Sequence, residues 1–326
     1  MGRIAVIFGG CGFIGSHLAR QLKESGAFDR IVCADISDEA RFATEGVDYM
    51  TCDVRQEIPT DLAPGVTDIF NLAAVHATPG HEDWEYFWTN VLGASHICDY
   101  ARRTGVSRMV FTSSIAVYGP CDGPTRETAA LRPNGAYGRS KFCAETIHHQ
   151  WRREEPAQRR LIVARPAIVF GFSERGNISR LARLLKRGAF IFPGRKDTIK
   201  SCGYVKDLTR SFLYFLDQPI DTITYNFAYT ERTTTADLCA SFQRVAGYPP
   251  ATRVMPLWFM MIVGLGFEVL QKLGMRTSIS RARMAKLVRP TDIVPDRLDR
   301  SGYVRRFTLD EAVADWYRDS GDLTFT

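Results

Sequence analysis

No two of the eight cysteines in this sequence stand as a CxxC pair. Cys11, Cys33, Cys52, Cys98, Cys121, Cys143, Cys202 and Cys239 are scattered, which excludes a disulfide framework and a zinc site of paired cysteines and fits reduced thiols. No metal is expected. Nor does any run reach the ~18 consecutive apolar residues of a spanning helix. Repeats, low-complexity linkers and a basic stripe are also missing. The formal charge of +6 therefore suits an anionic ligand or an acidic surface, not nucleic acid. The chain passes from its first residues into a strand and a glycine loop, a start that predicts a cytoplasmic protein without a cleaved signal peptide.

What is present is an alternation of strand-like and helical patterns. The 326 residues, 45% hydrophobic and 24% charged, suffice for one large α/β domain or for a large domain and a small one. Strands are predicted over Ile4–Phe8, Arg30–Ala34, Asp68–Leu72, Arg108–Ser113 and Leu161–Arg165, each a short apolar run closed by small or turn residues. Helical spacing fills Ile14–Ser25 and Trp88–Thr104. Beyond Pro166 the pattern predicts a helix over Ile178–Arg187, a Gly/Pro-punctuated section over 188–203, a helix over Tyr204–Asp217 and a strand over Thr224–Ala228. From about residue 229 onward it is mainly helical. The expectation is a doubly wound parallel sheet over 1–168, completed by about 200–228. A smaller, mainly helical substrate-binding subdomain follows from 169–199 and 229–326.

The stretch FGGCGFIGSHL places Gly9, Gly12 and Gly15 directly between the first strand and the first helix. Glycines there permit a tight turn, a close backbone approach to a pyrophosphate and close helix–strand packing, and the helix N-terminus offers free N–H groups. Asp35 ends the second strand, where a carboxylate accepts from a ribose 2′-hydroxyl and repels a 2′-phosphate, which favours NAD over NADP. This is the fingerprint of a Rossmann-type dinucleotide fold. Asp53-Val54 stands where a carboxylate can meet the adenine amino group, and a solvated turn is the competing reading. Asn71-Leu72-Ala73-Ala74 ends a strand in small residues that let a cofactor pass. Phe13, Ile14, Thr112 and Pro166 complete the expected cofactor contacts.

VFTSSIAVYG closes a strand with three hydroxyls, Thr112, Ser113 and Ser114. Downstream, AYGRSK sets Tyr137 and Lys141 four apart, on one face of a helix. An ammonium beside a phenol, together with a cationic nicotinamide, favours the phenolate and makes tyrosine a usable base.

Taken together, GGCGFIG, Asp35, NLAA, SSIAVYG and YGRSK resemble the extended short-chain dehydrogenase/reductase superfamily, in its NAD-dependent sugar epimerase/dehydratase branch. The resemblance runs through the whole chain in order. It implies that Ser114 hydrogen-bonds the reacting sugar hydroxyl, that Tyr137 is the acid/base, and that Lys141 holds the ribose and tunes Tyr137. Asn90 matches the helix asparagine of the family, in a structural role. Sugar dehydratases of this branch carry an Asp-Glu pair where this chain has Ile115 and Ala116, so water elimination is not expected. What remains is epimerisation at C4 through a transient 4-keto sugar. The alternatives are a nucleotide-sugar ketoreductase or dehydrogenase using the same residues, a steroid-type dehydrogenase, and a non-catalytic NAD(H) sensor.

A sugar that turns over during the reaction must be held by its carrier, and a diphosphate is the natural handle. Asn177, Lys200 and Ser201 are the candidates to bind it, and solvated-loop lysine is an equal reading of Lys200. Arg165, next to Pro166, reads either as a site residue or as a buried structural arginine. RPAIVFG, ERGNISRL, IKSCGYV and GDLTF resemble a narrower group, the undecaprenyl-diphosphate-N-acetylglucosamine 4-epimerases of O-antigen biosynthesis. UDP-sugar epimerases share some of these motifs.

One further stretch, PLWFMMIVGLGFEVL, has no charge from Val254 to Phe267. After it come Lys272, Arg276, Arg281, Arg283, Lys286 and Arg289 without an acidic residue. An apolar helix beside a cationic stretch suits the surface of an anionic membrane, so 256–289 is a candidate peripheral contact. Packing in the substrate subdomain or a dimer contact is the competing reading. Outward-facing Trp258, Phe259 and Met260 would favour a membrane-held substrate, and burial of all three a soluble UDP-sugar. A homodimer is the superfamily's default assembly.

Overall fold

Short apolar runs separated by helical spacing line up as one sheet of seven parallel strands. The computed structural model describes residues 2–76, 80–262, 265, 288–321 and 324–325. Its strands are β1 (Ile4–Phe8), β2 (Arg30–Asp35), β3 (Asp48–Thr51), β4 (Asp68–Asn71), β5 (Arg108–Thr112), β6 (Arg160–Pro166), β7 (Ile168–Phe170), β8 (Phe192–Pro193), β9 (Cys202–Tyr204), β10 (Thr222–Phe227) and β11 (Val254–Met255). The large sheet has the order β10-β6-β5-β4-β1-β2-β3, and the short strands form two separate pairs, β7 with β9 and β8 with β11. The strand order reverses between β1 and β4, and the crevice at that reversal is where doubly wound sheets bind ligands.

Helices cover both faces. On one side α1 (Phe13–Ser25) packs against α6 (Val205–Asp217), over a core that includes Leu18, Leu22, Phe70, Leu208 and Phe212. On the other, α3 (Gly93–Thr104) and α4 (Ala136–Glu154) cover Phe8, Ile69, Tyr100, Phe111 and Trp151. A third cluster, built from Phe170, Tyr204, Phe242, Trp316 and Phe325, joins α5 (Asn177–Lys186), α7 (Thr235–Ala246) and the C-terminal helix Leu309–Asp319.

The short strands β7, β8, β9 and β11 were not predicted, and two larger elements also differ from the sequence-based expectation. The strand β3 was not predicted, because DYMT at the sheet's edge is mostly exposed and shows no apolar run. The helix predicted over Trp88–Thr104 begins as a π-helical turn, Trp88–Leu92, and becomes α-helical at Gly93. There the helix presses on the neighbouring loop: a Cβ on Gly93 would stand 2.8 Å from Val54 Cγ2.

The apolar run splits. Residues 257–262 are helical, with Met260 buried, whereas Trp258 is 66% and Ile262 59% exposed and Leu257, Phe259 and Leu265 are exposed as well. Lys272, Arg276, Arg281, Arg283 and Lys286 lie outside the described residues. Arg289 is described and pairs with Asp122 through two bonds of 2.6 and 2.7 Å. Among the described residues no helix is long and apolar enough to cross a membrane.

The tightest packing joins the first strand to the first helix. A Cβ on Gly15 would lie 2.2 Å from Gly9 O and 2.7 Å from Gly10 Cα, both backbone atoms that cannot rotate away. Gly15→Ala is therefore expected to cost about 1–3 kcal/mol of stability, read as a lowered midpoint in thermal unfolding. An unchanged midpoint would mean that the loop can give way.

Candidate active site

The loop after β1 turns at Gly9, whose φ of 80° lies in the left-handed region open to glycine. Its backbone rests directly on the segment that follows β4, since a Cβ on Gly9 would stand 2.7 Å from Ala73 N and 2.8 Å from Leu72 C. Gly12 caps α1 without a side-chain hydrogen bond, so the first N–H groups of the helix are available to phosphate oxygens. Phe13 meets the His17 ring edge-on at 5.5 Å, and Ile14 packs into the core behind the loop. Asp35 accepts the Cys11 N–H at 3.0 Å and the Ser37 N–H at 3.1 Å, so the β2 carboxylate stands beside the glycine turn with lone pairs to spare. Leu72, Ala73 and Ala74 follow β4 on the other side of the crevice.

The next residues outward are held by the protein itself. Asp53 is clamped by Arg55, with Nε 2.8 Å from Oδ1 and Nη2 2.8 Å from Oδ2, and this pairing holds its carboxyl below the ordinary carboxylate range. Val54 is buried, and its carbonyl accepts from His96 Nδ1 at 2.9 Å. Asn90, buried within the π-helical turn, accepts the Val75 N–H at 2.9 Å and donates to Val75 O at 3.1 Å and Ser140 Oγ at 2.8 Å. Ser140 Oγ in turn donates to Tyr137 O at 2.9 Å. Asn90 thus ties the loop after β4 to the turn of α4 that carries Tyr137.

Of the three strand-end hydroxyls, Thr112 and Ser113 are buried and Ser114 is only half-buried. Ser114 Oγ caps the 3-10 helix Ile115–Tyr118 by accepting the Ala116 N–H at 3.2 Å, and its hydroxyl is near enough to Tyr137 to act on the phenol. The helix α4 approaches closely here because residue 138 is glycine: a Cβ would stand 2.5 Å from Ala116 O. One turn on, Lys141 Nζ donates to Thr112 O at 2.8 Å and lies 5.0 Å from the centre of the Phe111 ring. Burial lowers the Lys141 ammonium to about 7, against the charge of Glu145, which raises it. Burial likewise pushes the Tyr137 phenol above its ordinary value, and the neighbouring Ser114 hydroxyl draws it down. In the protein alone, desolvation therefore opposes the phenolate that the Tyr–Lys spacing had led us to expect.

The residues of this crevice suit a dinucleotide. The glycine cradle is one that a single Cβ would fill, α1 presents uncapped N–H groups, and Thr112 Oγ1 is buried without a hydrogen-bond partner among the described residues. The substrate-side candidates sit elsewhere. Asn177 is the exposed first residue of α5, whose N-terminal turn is bonded instead by Glu174 to the Ser179 N–H at 2.8 Å. Lys200 Nζ donates to Arg289 O at 2.7 Å, and buried Ser201 Oγ accepts the Ile293 N–H at 2.9 Å, so both tie down the segment 289–293. Pro166 is buried at the end of β6.

Sequence reasoning passed over one group, the buried carboxylate of Glu145, although its place four residues after Lys141 on α4 marked it as a neighbour. Arg165, left open between two readings, is buried and paired with it through bonds of 2.8 and 2.6 Å.

Residues 5–228 match the family model described as the NAD dependent epimerase/dehydratase family. The chain is 28% identical over 264 residues to the N-acetyl-alpha-D-glucosaminyl-diphospho-ditrans,octacis-undecaprenol 4-epimerase of Escherichia coli O157:H7, covering 80% of each chain. It is 23% identical over 291 residues to the UDP-glucose 4-epimerase of Erwinia amylovora, covering 77% of this chain and 85% of that one. Among solved structures, MoeE5 in complex with UDP-glucuronic acid and NAD superposes with a TM-score of 0.76 at 24% identity, over 98% of this chain and 100% of that one. The UDP-glucuronic acid 4-epimerase from Bacillus cereus in complex with NAD gives 0.77 at 16% identity, over 99% and 100%. With the sheet, the glycine cradle and the Ser-Tyr-Lys cluster already in place, these matches settle the assignment: the chain belongs to the NAD-dependent epimerase/dehydratase family, as an NAD-using epimerase of the extended short-chain dehydrogenase/reductase type.

Proposed function

We propose that the enzyme is a 4-epimerase of an N-acetylhexosamine or hexose held on undecaprenyl diphosphate, serving surface-polysaccharide biosynthesis. The observation that carries this reading is the cluster of Ser114, Tyr137 and Lys141 beside the glycine cradle, flanked by Ile115 and Ala116, which cannot transfer protons. Ser114 aligns the sugar O4 hydroxyl. Tyr137 takes the O4 proton as C4 is oxidised, and returns it when the 4-keto sugar is reduced on its other face. Bound NAD supplies the hydride acceptor and then the donor at C4. Lys141, anchored on Thr112 O, keeps a positive charge one helical turn from the phenol.

The carrier is read from the outward residues of 257–262. Trp258, Phe259 and Ile262 present an uncharged, exposed face that a protein working wholly in water does not need. A helix lying in the headgroup region of a bilayer uses such a face. The relative from Escherichia coli, similar over 80% of both chains, bears a name that specifies an undecaprenyl-linked sugar. Asn177 and Lys200 are the proposed neighbours of the diphosphate.

Offered UDP-N-acetylglucosamine and undecaprenyl-diphosphate-N-acetylglucosamine side by side, without added cofactor, the purified enzyme is expected to epimerise the lipid-linked form. Turnover of the UDP form alone would remove the lipid carrier, and a requirement for stoichiometric NAD(H) would make the enzyme a ketoreductase. Tyr137→Phe is expected to lower kcat by about 100- to 10,000-fold while the protein keeps its bound NAD, and a rate near wild type would end the acid–base assignment. Replacing Trp258 and Phe259 together by glutamate should abolish co-sedimentation with anionic phospholipid vesicles. Equal sedimentation of the variant and the wild type would exclude this face as the contact.

A further inference from the structure

Behind the Ser114–Tyr137–Lys141 cluster lies a buried polar chain that no step of the proposed reaction uses. Glu145, 2% exposed, is its centre. Its Oε1 accepts from Ser113 Oγ at 2.5 Å and from Arg165 Nε at 2.8 Å, and its Oε2 accepts from Arg165 Nη2 at 2.6 Å. Arg165 Nη1 donates to Tyr118 Oη at 2.9 Å, and Tyr118 donates onward to Asn226 Oδ1 at 2.7 Å. Each partner borders the reacting residues. Ser113 precedes Ser114, Tyr118 ends the short helix that Ser114 caps, and Glu145 stands one turn beyond Lys141.

We propose that Glu145 is a positioning residue for the epimerase reaction: paired with Arg165, it keeps Lys141 in its ammonium form and fixes the strand end that carries Ser114, without touching substrate or cofactor. The inference rests on the acid–base roles proposed above for Tyr137 and Lys141. A carboxylate and a guanidinium are costly to bury, and apolar residues of similar volume would leave the fold at least as stable. A charged pair here gains its use from the third charge beside it. Lys141 stands in a nearly dry site, where burial lowers it to about 7 and the field of Glu145 is what opposes that fall. The other groups around Lys141 do not replace this field. Tyr137 and Tyr86 are phenols, the Phe111 ring and the Thr112 carbonyl are uncharged, and burial holds His148 down at about 3. His76 lies near enough to feel the lysine, and a proton on it would only disfavour the ammonium. Arg165 spends both edges of its guanidinium on Glu145 and Tyr118.

The sign follows. Activity needs the ammonium, so it is lost on the alkaline side as Lys141 deprotonates, and removing Glu145 brings that loss to lower pH. In Glu145→Gln the alkaline limb of the kcat/KM–pH profile is expected to move down by about one unit or more, the usual effect of deleting an opposite charge at close range. The profile is measured on whichever of the two N-acetylglucosamine substrates the enzyme turns over. Because this variant strands Arg165, Glu145→Gln/Arg165→Gln forms the second arm: it leaves no unpaired charge and should displace the limb in the same direction. Absorbance of the Tyr137 phenolate near 295 nm, taken as the difference from Tyr137→Phe in NAD-loaded protein, reports the same loss of the ammonium without substrate, as a phenolate titration moved to higher pH. A limb and a phenolate titration that stay at the wild-type pH in either folded, NAD-bearing variant would overturn the inference, because a purely structural role lowers kcat without moving them. A wild type with no alkaline limb, or an active Tyr137→Phe, would instead defeat the acid–base roles themselves.

Discussion

A pair of opposite charges sealed into the carboxyl end of the sheet governs how the rest of this molecule is arranged. Glu145 and Arg165 are 2% and 6% exposed, and they are hydrogen-bonded to each other, Glu145 also to Ser113 and Arg165 also to Tyr118. Breaking such a pair from one side costs about 3–5 kcal/mol, because it leaves a charge buried without a partner. Five elements meet there: the ends of β5, β6 and β10, the 3-10 helix and α4. None of them can shift without disturbing a charge, and the reacting side chains stand on these elements. Apolar packing is forgiving of small slides; a bidentate ion pair is not.

The placement of the two halves of the site follows from the order of the strands. Going out from β1, the chain first builds β2 and β3 on one side, then returns to build β4, β5 and β6 on the other. Loops from adjacent strands therefore diverge at β1 and β4. The glycine turn after β1 and the Leu72–Ala73 backbone after β4 line the gap, close enough that only glycine fits at residue 9. One side of this gap is bounded by Asp35, at the end of β2, and Asp53, just beyond β3, and the other by β5 and α4. Asn90 connects the two sides, since its amide holds both Val75 and Ser140.

Much of this was legible in the residues. Buried parallel strands leave uninterrupted apolar runs, and the five strands of the first half that had such runs were found to within a residue or two. The glycines and the Tyr–Lys pair were legible because their spacing expresses a local geometry. Other features depend on pairing across the fold and leave no local mark. The strand β3 earns its place only by its register with β2, from Val32↔Asp48 to Asp35↔Thr51. The bonds that Lys200 and Ser201 make to residues 289–293, about ninety positions away, are likewise set by the fold and leave no local mark. Desolvation of Tyr137 was invisible for the same reason: burial belongs to the tertiary structure, not to a motif.

The apolar helix gains meaning from what stands at its two ends. A Cβ on Gly194 would lie 2.9 Å from Val288 Cγ1 and 4.0 Å from Leu257 Cβ, so the start of the helix and the return of the described chain meet at one point. From Val288 the chain runs on to Arg289, which grips Asp122, then to Asp292 and Val294, which bond to Thr125 on the loop that follows the 3-10 helix Ile115–Tyr118. The exposed face is thus mechanically continuous with the wall of the reaction site. A Trp two-thirds exposed beside an exposed Ile has a favourable place only in apolar surroundings. If those surroundings are lipid, the short chain path from Leu257 through Gly194 and Val288 to Asp122 brings the bilayer surface to the mouth of the crevice. Under the proposed lipid carrier, the diphosphate that lets the sugar turn over between the two half-reactions would also be its tie to that membrane.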